Sequence, residues 1–316
     1  MADLAAACLT AVRDCLGLQP GEELLVVSDP TRRVIADALA DAARTLGAEV
    51  VALEMAERAQ NGAEPPRSVA AAMAAADAVL CPTAKSLTHT KARRDAVAAG
   101  ARVATMPGIT EPMLVRTMAV DYRKVVDVTN RVTAVLTAGN LVRLTTPAGT
   151  DLTLPIAGIP GHASSGVIVG KGSWGNLPSG EAYLRPEEGR TEGVLVVDGA
   201  MAGIGLLAAP LRIRIERGMA VSFEGPDAAR LQDMLDRHGP LARSVAELGI
   251  GTNDGAILTG EILEDEKVAG TAHVAFGNNA SMGGTVTVPV HLDGIVLHPT
   301  LLIDDRLVLD NGVLKI

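Results

Sequence analysis

Along roughly the first 120 residues the apolar positions fall into two alternating textures. Short unbroken apolar runs at 23–27, 48–53, 77–81 and 102–105 read as buried strands. Between them, residues 31–46, 66–75 and 86–99 carry the spacing of amphipathic helices, as do residues 3–16 ahead of the first strand. Strands alternating with helices predict a parallel sheet covered on both faces, a doubly wound α/β arrangement. A longer helix is predicted over 121–138, linking the two halves of the chain.

Beyond it the texture changes. Runs at 141–145 and 151–154, split by Pro147-Ala148-Gly149, predict a hairpin. Residues 155–189 are rich in Gly, Pro and Ser and predict a long loop, of a length that points to function rather than connection. Strands are expected at 193–198, 211–216 and 219–223, a helix at 226–238, and strands again at 271–276, 285–292, 295–297, 300–303 and 306–309. The expected organisation is an α/β domain over 1–135 and a β-rich α+β metal-binding domain over 136–316.

Composition narrows the function classes. Aromatic residues are 2% of 316, so the core must be built from Ala, Val, Leu, Ile and Met, and no aromatic platform exists for stacking bases. The net charge of -9, with no Lys/Arg block, argues against nucleic acid as a partner, since phosphate binding needs concentrated positive charge. Cys8, Cys15 and Cys81 are sparse and form no CxxC pair, which fits a reducing cytoplasm and argues against a disulfide framework. Asp3, Arg13 and Asp14 interrupt the apolar N-terminus, which reads as an amphipathic helix rather than a signal peptide. No apolar run reaches the length of a membrane span.

Candidate chemistry gathers in the second half. His291 and Asp293 lie two apart in Val286–Asp293, so on a strand they project to one face. Imidazole beside carboxylate suits zinc, manganese or iron(II). His273 sits in an apolar strand pattern, where a core histidine is the commoner occupant. The acidic run 260–267, containing Glu264 and Glu266, is ordinarily a solvated turn but could bring a carboxylate to a metal. Glu181 and Glu247 stand in Gly-flanked apolar settings, costly for a carboxylate unless it is paired or metal-bound. His162 and His89 are weaker candidates; His238 reads as a helix C-terminal residue and His298 as part of a turn. No GxGxxG follows the first strand, and there is no Walker loop, HExxH or GxSxG.

Taken in order, Leu177-Pro178-Ser179-Gly180-Glu181, Thr191-Glu192-Gly193, Ala246-Glu247-Leu248-Gly249, Asp265-Glu266 with His273-Val274-Ala275-Phe276-Gly277, and His291-Leu292-Asp293 resemble the thermophilic metalloaminopeptidases of the aminopeptidase T and S type, over roughly residues 175–312. That resemblance implies a hydrolase of peptide-like or amide bonds acting on a small molecule or short peptide, and a homodimer. It implies two divalent metals per chain, zinc, cobalt or manganese, on Glu181, Glu247, Glu266, His273, His291 and Asp293. Glu247 would bridge the metals as the catalytic carboxylate, and the metals would activate a water. The family's tyrosine after the matched histidine has no counterpart between Gly277 and Gly284.

A second resemblance is to the 2,5-dihydroxypyridine 5,6-dioxygenases, carried by Gly277-Asn278-Asn279, Gly283-Gly284, Val290-His291-Leu292-Asp293 and Leu302-Ile303-Asp304-Asp305. It implies a ring-cleaving enzyme with one iron(II) held by two histidines and a carboxylate. His291 and Asp293 match two of those ligands, and the third, a histidine, falls where this chain has Glu247.

Overall fold

The computed structural model describes residues 2–316, which form two compact units. The first runs through Val126 and adds Gly166–Ser179; the second comprises Asp127–Ser165 and Gly180–Ile316. The division falls inside the helix Tyr122–Ala138.

In the first unit five parallel strands are ordered Glu49–Glu54, Glu23–Ser28, Ala78–Thr83, Arg102–Pro107, Trp174–Asn176. The expected parallel sheet with helical connections is present. Leu24–Val27 and Ala78–Thr83 are buried on both faces, which is why they read as unbroken apolar runs, whereas the edge strand Glu49–Glu54 is mostly exposed. The helix expected from residue 86 begins only at Lys91, where Thr90 Oγ1 caps it by accepting from Arg93 N at 3.2 Å.

The fifth strand corrects the expectation of one long loop over 155–189. Trp174–Asn176 pairs with Arg102–Pro107, Thr105 Oγ1 donates to Asn176 Oδ1 at 2.6 Å, and the Arg93 guanidinium lies 3.8 Å above the Trp174 ring. Two further strands of the same stretch, His162–Ser164 and Glu181–Leu184, belong to the second unit. Each is three or four residues long, too short to show a period amid glycines and serines.

The second unit contains an eight-stranded and a seven-stranded antiparallel sheet. Residues from both, among them Val142, Leu152, Leu195 and Ile213 of the first and Leu184, Leu248, Val274 and Phe276 of the second, form one apolar cluster. The strand expected over 285–292 is also corrected. His291–Val296 is a single strand, and residues 285–290 form a loop. Pro289 has no N–H to give a ladder, and the carbonyls of Val286, Val288 and Val290 accept from Asn279 N, Asn278 Nδ2 and Asn278 N instead.

Candidate metal centre

Four neighbouring strands of the seven-stranded sheet carry the site: Glu181–Leu184, Val245–Gly251, Ala272–Gly277 and His291–Val296. Their register pairs Glu181 with Gly251, Tyr183 with Gly249, Gly249 with His273, Glu247 with Ala275, and Ala275 with Asp293. Paired residues share a face, and so do residues two apart along a strand. Glu181, Tyr183, Glu247, Gly249, His273, Ala275, His291 and Asp293 therefore occupy one side. The alternates Ala182, Leu184, Leu248, Ile250, Val274, Phe276 and Leu292 all lie in the apolar cluster on the other. Gly249 and Ala275 keep the floor of the polar face low, leaving room for the imidazole and carboxylates around them.

His273 Nε2 lies 3.3 Å from Glu247 Oε1 and 3.5 Å from Glu181 Oε2. His291 Nε2 lies 3.4 Å from both Glu247 Oε2 and Asp293 Oδ1. One ligand atom from each of Glu247, His273 and Asp293 falls within a mutual 4.8 Å, and the same holds for Glu181, Glu266 and His273. The structure thus brings all six sequence-picked side chains together. Glu264, the near competitor of Glu266, turns elsewhere: its Oε1 accepts from Ile257 N at 3.1 Å.

The acidic run is not a solvated turn. Glu264, Asp265 and Lys267 are fully buried, and Lys267 is the residue that sequence reasoning missed. Its Nζ donates to Glu181 Oε1 at 2.8 Å and to Glu266 Oε1. A lysine beside a run of acids looks like surface charge balance, and only the strand register shows it turned inward. The neighbouring Asp265 caps the preceding loop, accepting from Thr259 N at 2.7 Å and Gly260 N at 3.0 Å. Tyr183 is also mostly buried, stacks on His162 at 5.3 Å, and has its hydroxyl held protonated by burial and the charges of Glu247, Glu181 and Glu266.

The electrostatics demand positive charge. Burial opposes ionisation of Glu247, yet hydrogen bonds from His273 and His291 bring its pKa down to about 2. Burial likewise opposes a charge on His273, yet Glu247, Glu181 and Asp293 push it up to about 9; His291 is raised by Asp293 and Glu247. Burial pushes Glu266 up to about 8, against the pull of Lys267.

These residues fit a divalent metal. Asp293 Oδ1 and Glu181 Oε2 are buried carboxylate oxygens that accept no hydrogen bond, a costly arrangement that a cation relieves. His291 Nδ1 faces the Asn278 carbonyl at 2.7 Å. A carbonyl only accepts, so Nδ1 keeps its proton, and Nε2, which faces the carboxylates, is the nitrogen that would give up its proton to ligate a cation.

That carbonyl is itself anchored. Glu188 accepts from Asn279 Nδ2 at 2.9 Å, Thr285 N at 2.6 Å and Thr285 Oγ1 at 2.5 Å, tying down the loop on which Asn278 sits. Glu188→Ala is expected to lower stability by about 1–2 kcal/mol and metal affinity by roughly tenfold. Thermal melts beside a metal titration check this, and an unchanged affinity would show that the loop holds His291 without Glu188.

A family model described as NicX, 2,5-dihydroxypyridine 5,6-dioxygenase, matches residues 3–316. The chain belongs to this family. The 2,5-dihydroxypyridine 5,6-dioxygenase of Pseudomonas putida KT2440 is 26% identical over 184 residues, 52% of this chain and 51% of the relative, so the chain spans about half the length of that curated protein. The solved structure of 2,5-dihydroxypyridine dioxygenase from Pseudomonas putida KT2440 is similar over 98% of this chain and 96% of its own, with a TM-score of 0.84 at 20% identity. Wild-type AmpT from Thermus thermophilus is similar over 100% and 99%, with a TM-score of 0.73 at 20% identity. Both resemblances read from sequence therefore hold at the level of fold, but their order changes: the family is that of the dioxygenases, which the sequence reading placed second. The chain is a member of an enzyme family, and no helix among the described residues is long and apolar enough to cross a membrane.

Proposed function

We propose that this protein is an iron(II)-dependent dioxygenase that opens a hydroxylated nitrogen-containing aromatic ring. Family membership supports the reaction class. The observation that carries it to this site is the meeting of two imidazoles with carboxylates around one place: His273 and His291 both lie against Glu247, at 3.3 Å and 3.4 Å, with Asp293 3.4 Å from His291. His273 here offers the second imidazole that the dioxygenase pattern has at the position of Glu247. Two histidines and a carboxylate are the donor set that holds iron(II) while leaving positions open.

Iron(II) bound there would supply the electron-transfer chemistry that lets dioxygen react with an electron-rich ring, both oxygen atoms entering the opened product. The chain's own groups do the rest. His291 is the most exposed of the cluster, its side chain 31% accessible, while those of Glu181, Glu247 and Asp293 are at most 10% accessible, so a substrate arrives on the His291 side. The carboxylates not engaged with a cation can accept the proton of a ring hydroxyl, and the burial of the remainder keeps water away.

The test is an oxygen electrode trace with anaerobically iron-loaded protein and 2,5-dihydroxypyridine. Oxygen consumption matched one-to-one by loss of the aromatic absorbance supports the reading; ring substrate that stays intact under oxygen overturns it. Glu247 in place of a histidine, together with the AmpT-like fold, favours a second reading, a metallohydrolase in which zinc, cobalt or manganese activates water and Glu247 takes its proton. Release of p-nitroaniline from aminoacyl p-nitroanilides by cobalt- or zinc-loaded protein, without oxygen uptake, would select it.

A further inference from the structure

The six-residue cluster contains two overlapping places for a cation, and one is already filled by the protein itself. Glu181, Glu266 and His273 form the first; Glu247, His273 and Asp293, with His291 alongside, form the second. In the first, the Lys267 ammonium, fully buried, holds Glu181 Oε1 at 2.8 Å and pairs with Glu266 Oε1. We propose that Lys267 is a built-in cation standing in the place of a second metal, and that it limits the centre to one ion, bound by Glu247, His273, His291 and Asp293.

Three features support this. An ammonium and a divalent ion sharing Glu181 and Glu266 would lie within a few ångströms of each other in a buried place, where like charges repel strongly. The charge count is compatible with this: with Lys267 in place, one divalent ion leaves the four carboxylates Glu181, Glu247, Glu266 and Asp293 one unit short of balance, and a second would overshoot it by one. The carboxylate oxygens differ as well. Each carboxylate of the first group has one oxygen on Lys267, leaving Glu181 Oε2 without a hydrogen bond, whereas Glu247 and Asp293 give none to the lysine and Asp293 Oδ1 accepts no hydrogen bond. A lysine fixes its charge regardless of metal supply, so occupancy of the remaining site does not depend on loading a neighbour first.

The inference concerns how many ions bind, so it is separable from the proposed reaction, though it shares the same residues. Chelator-stripped full-length protein is titrated with Mn(II), counting free ion by its EPR signal and bound ion by elemental analysis. The expectation is one ion per chain for the natural protein, with any second at least 100-fold weaker, and two ions for Lys267→Met. The two ions of that variant would show the exchange-coupled EPR signature of a manganese pair. Adding Glu181→Gln to Lys267→Met should return the count to one, which distinguishes a new site from loose surface binding. If Lys267→Met does not fold, Lys267→Gln, which can still hydrogen-bond Glu181 and Glu266 but carries no charge, takes its place: a second bound ion upholds the proposal, and a single ion overturns it. Two tight ions in the natural protein, or an unchanged single ion in folded Lys267→Met, also overturn it. One ion without oxygen uptake would instead count against the dioxygenase reading alone.

Discussion

Glutamine in place of Glu247 is expected to abolish turnover and to weaken metal binding by more than about 100-fold, beyond the 10–100-fold typical when a residue supporting a ligand is lost. Both oxygens of Glu247 are committed, Oε1 toward His273 Nε2 at 3.3 Å and Oε2 toward His291 Nε2 at 3.4 Å. An amide keeps the shape but removes the charge and aims its own N–H at one of the two imidazole N–H groups that Glu247 accepts from. The unmetallated protein should suffer as well. Removing one partner of a buried charged cluster costs about 3–5 kcal/mol. Metal content after anaerobic reconstitution, together with a melt of chelator-treated protein, measures both effects. A variant that retains metal and turnover would remove Glu247 from the centre.

Gly249→Ala is the second large effect, and it arises from one methyl group. A Cβ at this position would sit 2.0 Å from His273 Nε2 and 2.2 Å from its Cε1. His273 is fully buried and its strand is paired on both sides, so the ring cannot slide away within its own plane of neighbours. It must leave its rotamer or push the two strands apart, at about 1–3 kcal/mol of overpacking. The fold should survive, while metal affinity falls by about two orders of magnitude because a ligand has been moved rather than merely left unsupported. The same methyl at Gly283, which has nothing within 4 Å, is a control for the general cost of glycine replacement, although its φ of +76° adds backbone strain. Circular dichroism and a metal titration suffice, and a Gly249→Ala protein with normal affinity would show that His273 is not a ligand.

The parallel sheet of the first unit was legible because Leu24–Val27 and Ala78–Thr83 are buried on both faces and leave an apolar run no helix would need. The histidines and carboxylates of the site were legible one by one, as polar residues in places where burial would be costly. Their number was readable, but their allegiance was not. Whether Glu181 and Glu266 face a metal or a lysine depends on the pairing of Glu181–Leu184 with Val245–Gly251, a contact across 60 or more residues that no local pattern encodes. The same blindness hid Trp174–Asn176, whose place in the first sheet rests on Thr105 and Arg93 far upstream. Lys267 was invisible for a different reason: in sequence it offsets its acidic neighbours, and a surface turn offers the same charge balance at no desolvation cost.

The two-sided strands have a consequence for how the gene can change length. Inserting one residue into Val245–Gly251, Ala272–Gly277 or His291–Val296 would rotate every downstream side chain to the opposite face, driving ligands into the oily layer and aliphatic residues into the centre. The connection between Asn278 and Val290 has no such parity to protect. Insertions and deletions should accumulate there and be purged from the strands, so that among descendants of this chain the span from His273 to His291 varies while the step from His291 to Asp293 stays fixed at two.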